Sequence, residues 1–319
     1  MTVLITGGAG FIGSHLAAAL LREGERVVCL DNFNDYYDPA IKRANVAPLL
    51  AEERFALVEG DIRDADVVER VFTAHGVRRV AHLAAMAGVR ASIEQAALYV
   101  QVNVDGAVNL LEAARRHRVE VFVNASTSSV YGETTRIPFR EDDPADRPLA
   151  AYPASKRAAE LLAHAYHHLF DLNVTTLRFF NVYGPGGRPD MMPFKVIDAI
   201  VNERPITLFN GGDMQRDWTY IDDTVRGVLA ALARPMGYEV INLGCGAPIS
   251  MREFVEVCQG LIGREATIID QPAPLSDPPI TYCDNTKARR LLGFAPQTDT
   301  RRGLANTWAW YRERFMPRQ

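Results

Sequence analysis

Residues 2–21, "TVLITGGAGFIGSHLAAALL", decide the fold, because a short apolar strand, a glycine-rich turn and an apolar helix follow one another directly. Gly8, Gly10 and Gly13 fit the pattern G-x-G-x-x-G, whereas Gly7, Gly10 and Gly13 fit the pattern G-x-x-G-x-x-G. Such a turn needs residues without a Cβ where the backbone approaches a pyrophosphate, and the free N–H groups of the following helix attract its charge. The stretch therefore predicts a dinucleotide-binding turn.

An acidic residue follows this turn at the end of the second apolar segment, "RVVCLD". Asp31 lies 18 residues after Gly13. A carboxylate at this place accepts hydrogen bonds from a ribose 2'-hydroxyl and repels a 2'-phosphate. The sequence therefore predicts NAD rather than NADP as the cofactor. The alternative is a glycine turn in an α/β fold that binds no nucleotide.

The first half of the chain alternates apolar runs with amphipathic segments. The runs predict strands at residues 2–6, 26–30, 55–59, 78–84, 119–124 and 174–179, and 238–244 suggests one more. Strands that are apolar on both faces and alternate with helices are typical of a parallel sheet covered on both sides. The predicted fold class is α/β, a Rossmann-type doubly wound parallel sheet.

Glycine and proline become frequent after about residue 180, as in "YGPGGRPDMMP" and "QPAPLSDPP". This change predicts a smaller, loop-rich C-terminal domain that binds the substrate. We expect residues 1–179 to form the NAD-binding domain, to which the chain returns at about 217–245. Residues 180–216 and 246–319 would form the substrate domain.

The composition excludes several classes of protein. A net charge of -4, from 35 basic and 39 acidic residues, argues against a nucleic-acid surface or a polybasic membrane anchor. No apolar run approaches the roughly 18 residues that span a bilayer, and the N-terminus does not resemble a signal peptide. The four cysteines are scattered, so we expect buried thiols and no metal site. These features predict a soluble cytoplasmic protein.

"AAYPASKRAAELLAHAYHHLF" predicts a helix that carries a reactive pair. Tyr152 and Lys156 are four residues apart, so their side chains share one face. A phenol with a pKa of about 10 is a poor base at neutral pH. A nearby ammonium group and a nicotinamide cation would lower that pKa. The alternative is a solvated helix with an ordinary tyrosine.

Several motifs together resemble the extended short-chain dehydrogenase/reductase family in its nucleotide-sugar branch. They are "TGGAGFIG", "GDIRD", "HLAA", "NASTSSVYG", "YPASK", "RFFNVYGP" and "RDWTYIDD". Within that branch, "DNFNDYYDPAIKR", "AGVRASIE" and "GRPDMMPFKV" are similar to UDP-glucuronate 4-epimerases. This resemblance implies tightly bound NAD, a UDP-sugar substrate and a homodimer.

The resemblance also implies roles for individual residues. Tyr152 would be the catalytic base, Lys156 its activator and Thr127 the hydroxyl between Tyr152 and the sugar O4. The implied cofactor-binding residues are Gly7, Gly10, Phe11, Ile12, Gly13, Asp31, Asn32, Asp61, Ile62, Leu83, Ala84, Ala85, Asn103, Ser126, Tyr152, Lys156 and Phe179. The implied substrate-binding residues are Arg90, Thr127, Ser128, Ser129, Asn181, Arg188, Phe209, Arg216 and Asp277.

The hydroxyl run from Ser126 to Ser129 bears on the reaction. Where this chain has Ser128 and Ser129, related 4,6-dehydratases carry Asp and Glu, and uronate decarboxylases carry a Glu just before the Val-Tyr-Gly. Serine hydroxyls do not act as free acids or bases at neutral pH without help. The remaining chemistry is redox at C4, and so the predicted activity is 4-epimerisation through a transient 4-keto sugar.

The identity of the sugar is left open between two readings. Arg188 and the hydroxyl run would restrain a C5 carboxylate, which favours UDP-glucuronate and UDP-galacturonate. Uronate epimerases usually carry Thr where this chain has Asn181, and Asn there is usual in UDP-glucose/UDP-galactose 4-epimerases. Thr281 occupies the place where a bulky residue would exclude large substituents at C2 of the sugar, so N-acetylated sugars are a further alternative. A sugar-nucleotide reductase and a non-catalytic NAD sensor are further alternatives.

Overall fold

The computed structural model describes residues 1–316 and has a mixed α/β architecture. Its strands are β1 (Thr2–Thr6), β2 (Arg26–Asp31), β3 (Phe55–Glu59), β4 (Arg79–His82), β5 (Val121–Thr127), β6 (Val174–Phe179), β7 (Asn181–Tyr183), β8 (Ile206–Phe209), β9 (Gln215–Arg216), β10 (Trp218–Tyr220), β11 (Tyr238–Leu243), β12 (Ile249–Ser250) and β13 (Ile268–Gln271). Its helices are α1 (Phe11–Arg22), α2 (Pro39–Val46), α3 (Ala65–His75), α4 (Ala91–Glu94), α5 (Ala96–Val100), α6 (Gly106–Arg116), α7 (Ala151–Phe170), α8 (Met192–Val201), α9 (Ile221–Leu232), α10 (Met251–Ile262), α11 (Thr286–Leu292) and α12 (Thr300–Phe315). A π-helical stretch, Gln101–Asp105, joins α5 to α6.

The central sheet has seven parallel strands in the order β11-β6-β5-β4-β1-β2-β3. In register, Thr6 at the end of β1 lies beside Leu30 of β2 on one side and His82 of β4 on the other. The strand order therefore reverses between β1 and β4, and a crevice opens there at the carboxyl ends of the strands. The predicted Rossmann-type sheet is confirmed, including the strand at 238–244.

Alternate residues of β1 pack into two hydrophobic layers on opposite faces of the sheet. Val3 and Ile5 belong to a core that includes side chains of α1, α8, α9, α10 and α12. Leu4 belongs to the other core, with side chains of α3, α6 and α7. Because both faces are covered, the strands are mostly apolar, as the sequence indicated, and β6 carries the buried polar residues Thr175, Thr176 and Arg178.

The second half of the chain contains short strand pairs that the sequence analysis did not predict. β7 pairs with β10, β8 with β13 and β9 with β12, and each pair has two to four residues in register. The return of the chain to the sheet occurs through α9 and β11, which pairs with β6. The proposed domain boundaries remain a prediction. No helix within residues 1–316 is long and apolar enough to cross a bilayer.

A buried ion pair ties α7 to the sheet. Glu160 of α7 accepts bonds from Nε and Nη2 of Arg178 on β6, at 3.0 and 2.8 Å, and from the Ser126 hydroxyl on β5 at 2.5 Å. The Arg178 guanidinium also lies over the Tyr131 ring, 4.7 Å from its centroid. Arg157, at the rim of this cluster, donates to the same carboxylate at 2.9 Å. The ion pair therefore fixes the helix that carries Tyr152 and Lys156.

We expect Arg178→Met to lower the free energy of unfolding by about 3–5 kcal/mol, because it leaves a buried carboxylate without its main partner. Arg157→Met is the matched control, since it removes a less buried cation from the same carboxylate and should cost less than about 1 kcal/mol. Urea unfolding of the three proteins measures both values. Equal losses in the two variants would contradict the conclusion that Arg178 is the main partner of Glu160.

Candidate active site

A cavity of about 390 Å³ lies at the carboxyl ends of the central strands. Every predicted cofactor-binding residue except Asn103 lines this cavity. Thr127, Ser128, Ser129, Asn181 and Arg188 of the predicted substrate site line it as well. The structure thus brings together side chains from five strand ends and from α7, although they are far apart in sequence.

The glycine turn after β1 leaves no room for side chains. Gly7 has φ +68°, and a Cβ on it would lie 2.8 Å from the backbone of Ala84. A Cβ on Gly13, in the first turn of α1, would lie 2.3 Å from the carbonyl oxygen of Gly7. Gly8 instead packs against the Cys29 sulfur and does not line the cavity. Of the two patterns in the sequence, the one with Gly7, Gly10 and Gly13 therefore describes the cavity wall.

Charged and polar groups lie at the β2 and β3 end of the cavity. Asp31 is buried, and its carboxylate accepts bonds from the backbone N–H groups of Ala9 and Phe33 at 3.1 and 2.9 Å. The Lys42 ammonium lies 3.8 Å from Asp31. Burial lowers the pKa of Lys42, and the Asp31 charge opposes that shift. A ribose at this end would meet both an acceptor and a donor.

Asp61 forms the neighbouring part of the wall. It accepts bonds from Asn32 at 2.9 Å and from the Arg63 guanidinium at 2.8 and 3.0 Å. The bonds from Arg63 lower the pKa of Asp61 to about 2, although burial opposes this. Asp61 therefore stays ionised and can accept a hydrogen bond from a ligand at neutral pH.

Two of the predicted cofactor-binding residues, Asn103 and Ser126, form hydrogen bonds with other groups of the protein. Asn103 is fully buried, bonds in both directions with the backbone of Met86 and donates to Ser155 at 2.9 Å. It therefore fastens the loop after β4 to the first turns of α7. Ser126 lines the cavity, but its hydroxyl donates to Glu160. Both residues contribute to the position of the wall.

Tyr152 and Lys156 line the cavity from one face of α7. Burial lowers the pKa of Lys156 to about 8, and the Glu160 charge opposes this shift. Burial raises the pKa of Tyr152, whereas the Arg188 charge and the Thr127 hydroxyl lower it. From the sequence, this lowering was expected from Lys156 and a nicotinamide cation. In the structure, the charge of Arg188 acts in this direction.

The hydroxyl run continues from the strand into a tight turn. Thr127 ends β5, and Ser128–Tyr131 form a 3-10 turn. The Thr127 oxygen accepts a bond from the Ser129 backbone at 3.1 Å and lies 3.2 Å from the Ser129 hydroxyl. Among residues 1–316, Asp31 and Asp61 are the carboxylates that line this cavity. Both lie at its other end, so the wall near Tyr152 carries hydroxyls.

A second cavity, of about 920 Å³, adjoins the first. Tyr36, Gly88, Val89, Asn181 and Met191 line both cavities. The remaining predicted substrate residues line the second one, namely Arg90, Phe209, Arg216 and Asp277. The two cavities together form a continuous cleft from the glycine turn to β8.

Two arginines in the second cavity share one carboxylate. Arg90 donates to Asp277 at 2.9 Å and lies over the Phe209 ring, 4.8 Å from its centroid. Arg216 is largely buried, and its Nη2 lies 3.9 Å from the same carboxylate. Burial lowers the pKa of Arg216 and Asp277 only partly compensates, with Arg90 acting in the same direction as burial. One carboxylate between two guanidinium groups leaves this part of the cleft suited to an anionic ligand.

Arg188 projects from the loop after β7 into the first cavity. Its Nε and Nη2 donate to Asp190 at 2.9 and 2.5 Å. Burial would lower the pKa of Arg188, but the bonds to Asp190 raise it overall. Arg188 therefore stays charged and acts on Tyr152 across the cavity.

The sequence analysis gave no roles to Tyr36, Lys42, Asp190 and Met191, which also line the cleft. Tyr36 and Lys42 belong to "DNFNDYYDPAIKR", and Asp190 and Met191 to "GRPDMMPFKV". Both stretches were recognised as motifs, and the chain contains only four lysines, a signal that could have drawn attention to Lys42. The places of their side chains in the cleft follow only from the positions of these loops relative to the sheet.

Comparison with known proteins agrees with this geometry. Residues 3–244 match the model of the NAD dependent epimerase/dehydratase family. A UDP-glucuronate 4-epimerase of Thermodesulfobacterium geofontis (strain OPF15) is 43% identical over 311 residues, which is 97% of this chain and 96% of that protein.

Solved structures extend the similarity to three dimensions. The UDP-glucuronic acid 4-epimerase of Bacillus cereus, in complex with UDP-glucuronic acid and NAD, has a TM-score of 0.93 and 35% identity, over 98% of this chain and 99% of that one. A UDP-glucose 4-epimerase of Thermotoga maritima with UDP-glucose has a TM-score of 0.90 and 29% identity, over 98% and 99% of the two chains. With this fold, this cleft and these similarities, the chain belongs to the NAD-dependent epimerase/dehydratase family.

Proposed function

We propose that the protein is a UDP-sugar 4-epimerase that interconverts UDP-glucuronate and UDP-galacturonate. The observation that carries this proposal is the shared cavity of Tyr152, the hydroxyl run and Arg188. Tyr152 supplies a base beside the sugar, the hydroxyls supply no second acid or base, and Arg188 supplies a cation for a carboxylate. The similarity to UDP-glucuronate 4-epimerases supports the same substrate.

The residues of the first cavity fit NAD. The glycine turn would hold the pyrophosphate at the N-terminus of α1, and Asp31 with Lys42 would bind the hydroxyls of the adenosine ribose. When bound there, NAD would supply a reversible hydride acceptor for the sugar C4, the chemistry that inversion of that carbon requires. Since no net oxidation occurs, we expect the cofactor to remain bound between turnovers.

Tyr152 would take the proton of the sugar 4-hydroxyl and return it after inversion. The phenol is buried, so its ionisation depends on neighbouring donors and cations. Thr127 would donate a hydrogen bond to the phenolate, and Arg188 stabilises it by charge. Lys156, on the same helix face, would add an ammonium group and bind the nicotinamide ribose.

The second cavity would hold the UDP group. Arg216 and Arg90 would bind the diphosphate, and Phe209 would lie against the uracil ring. Arg90 donates to Asp277 in the structure, and a bound diphosphate would take over part of that contact. Asp277 could then accept a hydrogen bond from a ribose hydroxyl. Tight binding of UDP at this end allows the 4-keto sugar to turn over in the cleft without leaving it.

A uronate requires control of its carboxylate. The 4-keto form is a β-keto acid, which loses CO2 if the bond to the carboxylate aligns with the carbonyl π system. Arg188 from one side and Thr127, Ser128 and Ser129 from the other would hold the carboxylate away from that alignment. The proposed contacts therefore serve both specificity and the suppression of decarboxylation.

UDP-glucose/UDP-galactose epimerisation is the second candidate, and Asn181 favours it. Asn181 lines both cavities, where it would contact the sugar or the diphosphate. A UDP-glucose 4-epimerase is also among the similar structures. Product analysis by NMR with each of the two sugar nucleotides separates the candidates.

We expect the enzyme to work as a homodimer in the cytoplasm. Support for a dimer comes from Val100, Leu161, Leu169 and Phe170, which are exposed apolar side chains on the neighbouring helices α5 and α7. Exposed apolar side chains on neighbouring helices are a common feature of protein interfaces. Sedimentation velocity should give twice the chain mass of 35.4 kDa, and Leu161→Glu should shift it towards the monomer. A monomeric wild-type protein would contradict this expectation.

Tyr152→Phe should abolish turnover while leaving the fold and NAD content unchanged, because the substitution removes only the ionisable oxygen. NAD is measured in the supernatant after denaturation of both proteins, and turnover by NMR. Full activity of the variant with NAD bound would exclude Tyr152 as the base. Wild-type protein without nicotinamide dinucleotide would exclude the bound cofactor.

Arg188→Ala should reduce kcat/KM for UDP-glucuronate roughly 10- to 150-fold more than for UDP-glucose, since a charge-assisted bond contributes about 1.5–3 kcal/mol. Some decarboxylated pentose product should also form. Arg90→Ala is the matched control and should impair both substrates alike, because it lies at the diphosphate. Equal damage by Arg188→Ala to both substrates, with a lower melting temperature, would mean that Arg188 only stabilises its loop.

A further inference from the structure

Three motifs from distant parts of the sequence meet at Arg188. They are "DNFNDYYDPAIKR" with Tyr36, "AGVRASIE" with Gly88 and "GRPDMMPFKV" with Arg188 and Asp190. Tyr36, Gly88 and Arg188 all line the first cavity. Of these residues, only Arg188 has a role in the proposed function, whereas Tyr36, Gly88 and Asp190 have none.

Two contacts fix the Arg188 guanidinium along one edge and one face. Asp190 accepts from Nε and Nη2, which occupies one edge. The ring of Tyr36 lies against the guanidinium, with its centroid 5.4 Å from the central carbon. Nη1 lies outside the ion pair with Asp190. An arginine held in this way loses little conformational freedom when it binds a ligand.

Tyr36 is itself held from two sides. Its hydroxyl lies 3.4 Å from Asp190, and its backbone N–H lies 3.4 Å from the Asn34 side-chain oxygen. Gly88 has φ +102°, and a Cβ there would lie 2.4 Å from the Tyr36 hydroxyl. Glycine is therefore needed at residue 88 both for its backbone conformation and for the space that Tyr36 fills.

The Tyr36 segment also reaches the cofactor end of the cleft. Lys42 donates to the side-chain and backbone oxygens of Asn34, at 2.9 and 3.2 Å, and lies beside Asp31. One short segment thus begins at the ribose-binding carboxylate and ends against the guanidinium of Arg188. An ordered conformation of this segment would therefore stabilise both the surroundings of Asp31 and the position of Arg188.

We infer that Tyr36 and Asp190 are positioning residues that aim Arg188 at Tyr152 and at the sugar carboxylate, and that Gly88 provides the space for Tyr36. The part that concerns the carboxylate rests on the proposed function. The part that concerns Tyr152 does not, because Arg188 and Tyr152 line the same cavity and the charge of Arg188 lowers the pKa of the phenol.

The test compares Tyr36→Leu, Tyr36→Phe and Asp190→Asn with the wild-type holoenzyme. Tyr36→Leu removes the aromatic face and should lower kcat/KM for UDP-glucuronate about 10-fold, with little change for UDP-glucose. Tyr36→Phe keeps the face and should restore most of the loss. Asp190→Asn should give a loss similar to that of Tyr36→Leu. In the Arg188→Ala background, Tyr36→Leu should add no further selectivity, since both changes act through one guanidinium.

A spectroscopic titration supplies a readout without substrate. Tyrosinate absorbance of each protein, minus that of its Tyr152→Phe counterpart, reports the ionisation of Tyr152. Tyr36→Leu and Asp190→Asn should raise the pKa of Tyr152, because the guanidinium no longer faces the phenol. The Tyr36 phenol itself raises the pKa of Tyr152, so Tyr36→Phe should leave that pKa at or below the wild-type value. A merely structural role would lower the melting temperature without this pattern.

The outcomes separate this inference from the proposed function. If the wild-type enzyme does not convert UDP-glucuronate, the proposed function fails and the titration alone decides on positioning. If it does convert UDP-glucuronate but Tyr36→Leu changes neither selectivity nor the Tyr152 titration, the positioning role is wrong. Equal loss for both sugars with an unchanged titration would overturn it as well.

Discussion

The buried ion pair between Glu160 and Arg178 is the interaction on which the site depends. Two charges inside the protein are tolerated because Nε and Nη2 of Arg178 donate to the Glu160 carboxylate at 3.0 and 2.8 Å. The pair joins the middle of α7 to β6, and Ser126 extends it to β5. Lys156 lies about one turn and Tyr152 about two turns before Glu160 on α7, so the contact of Glu160 with the sheet helps to position both.

Parallel strands then bring the remaining groups to one edge. All strands of the sheet end at the same side, and residues at the ends of β1 to β6 line the crevice. The glycine turn follows β1, Asp31 ends β2 and the hydroxyl run ends β5. The loop after β7 adds Arg188, and together these elements enclose a cleft that also contains Arg90 and Arg216.

Much of this arrangement could be predicted from the sequence, for identifiable reasons. Helices cover both faces of the central sheet, so its strands are mostly apolar runs, which differ from the amphipathic pattern of the helices between them. Strands β7 to β10, β12 and β13 were missed because two to four residues carry no detectable periodicity. Asn103 was expected at the cofactor, whereas its amide holds the backbone of Met86. Tyr36 and Asp190 acquire a meaning only through tertiary contacts that no spacing in the chain reveals.

The late return of the chain to the sheet has a consequence for synthesis. β6 has β11 on its outer edge, and α9 covers the apolar side of α1. A nascent chain that has emerged only as far as Phe179 would leave that strand edge unpaired and that helix face exposed to water. The nucleotide-binding half is therefore complete only when residue 243 has left the ribosome, and until then its open edge is a surface for chaperones or for misassociation.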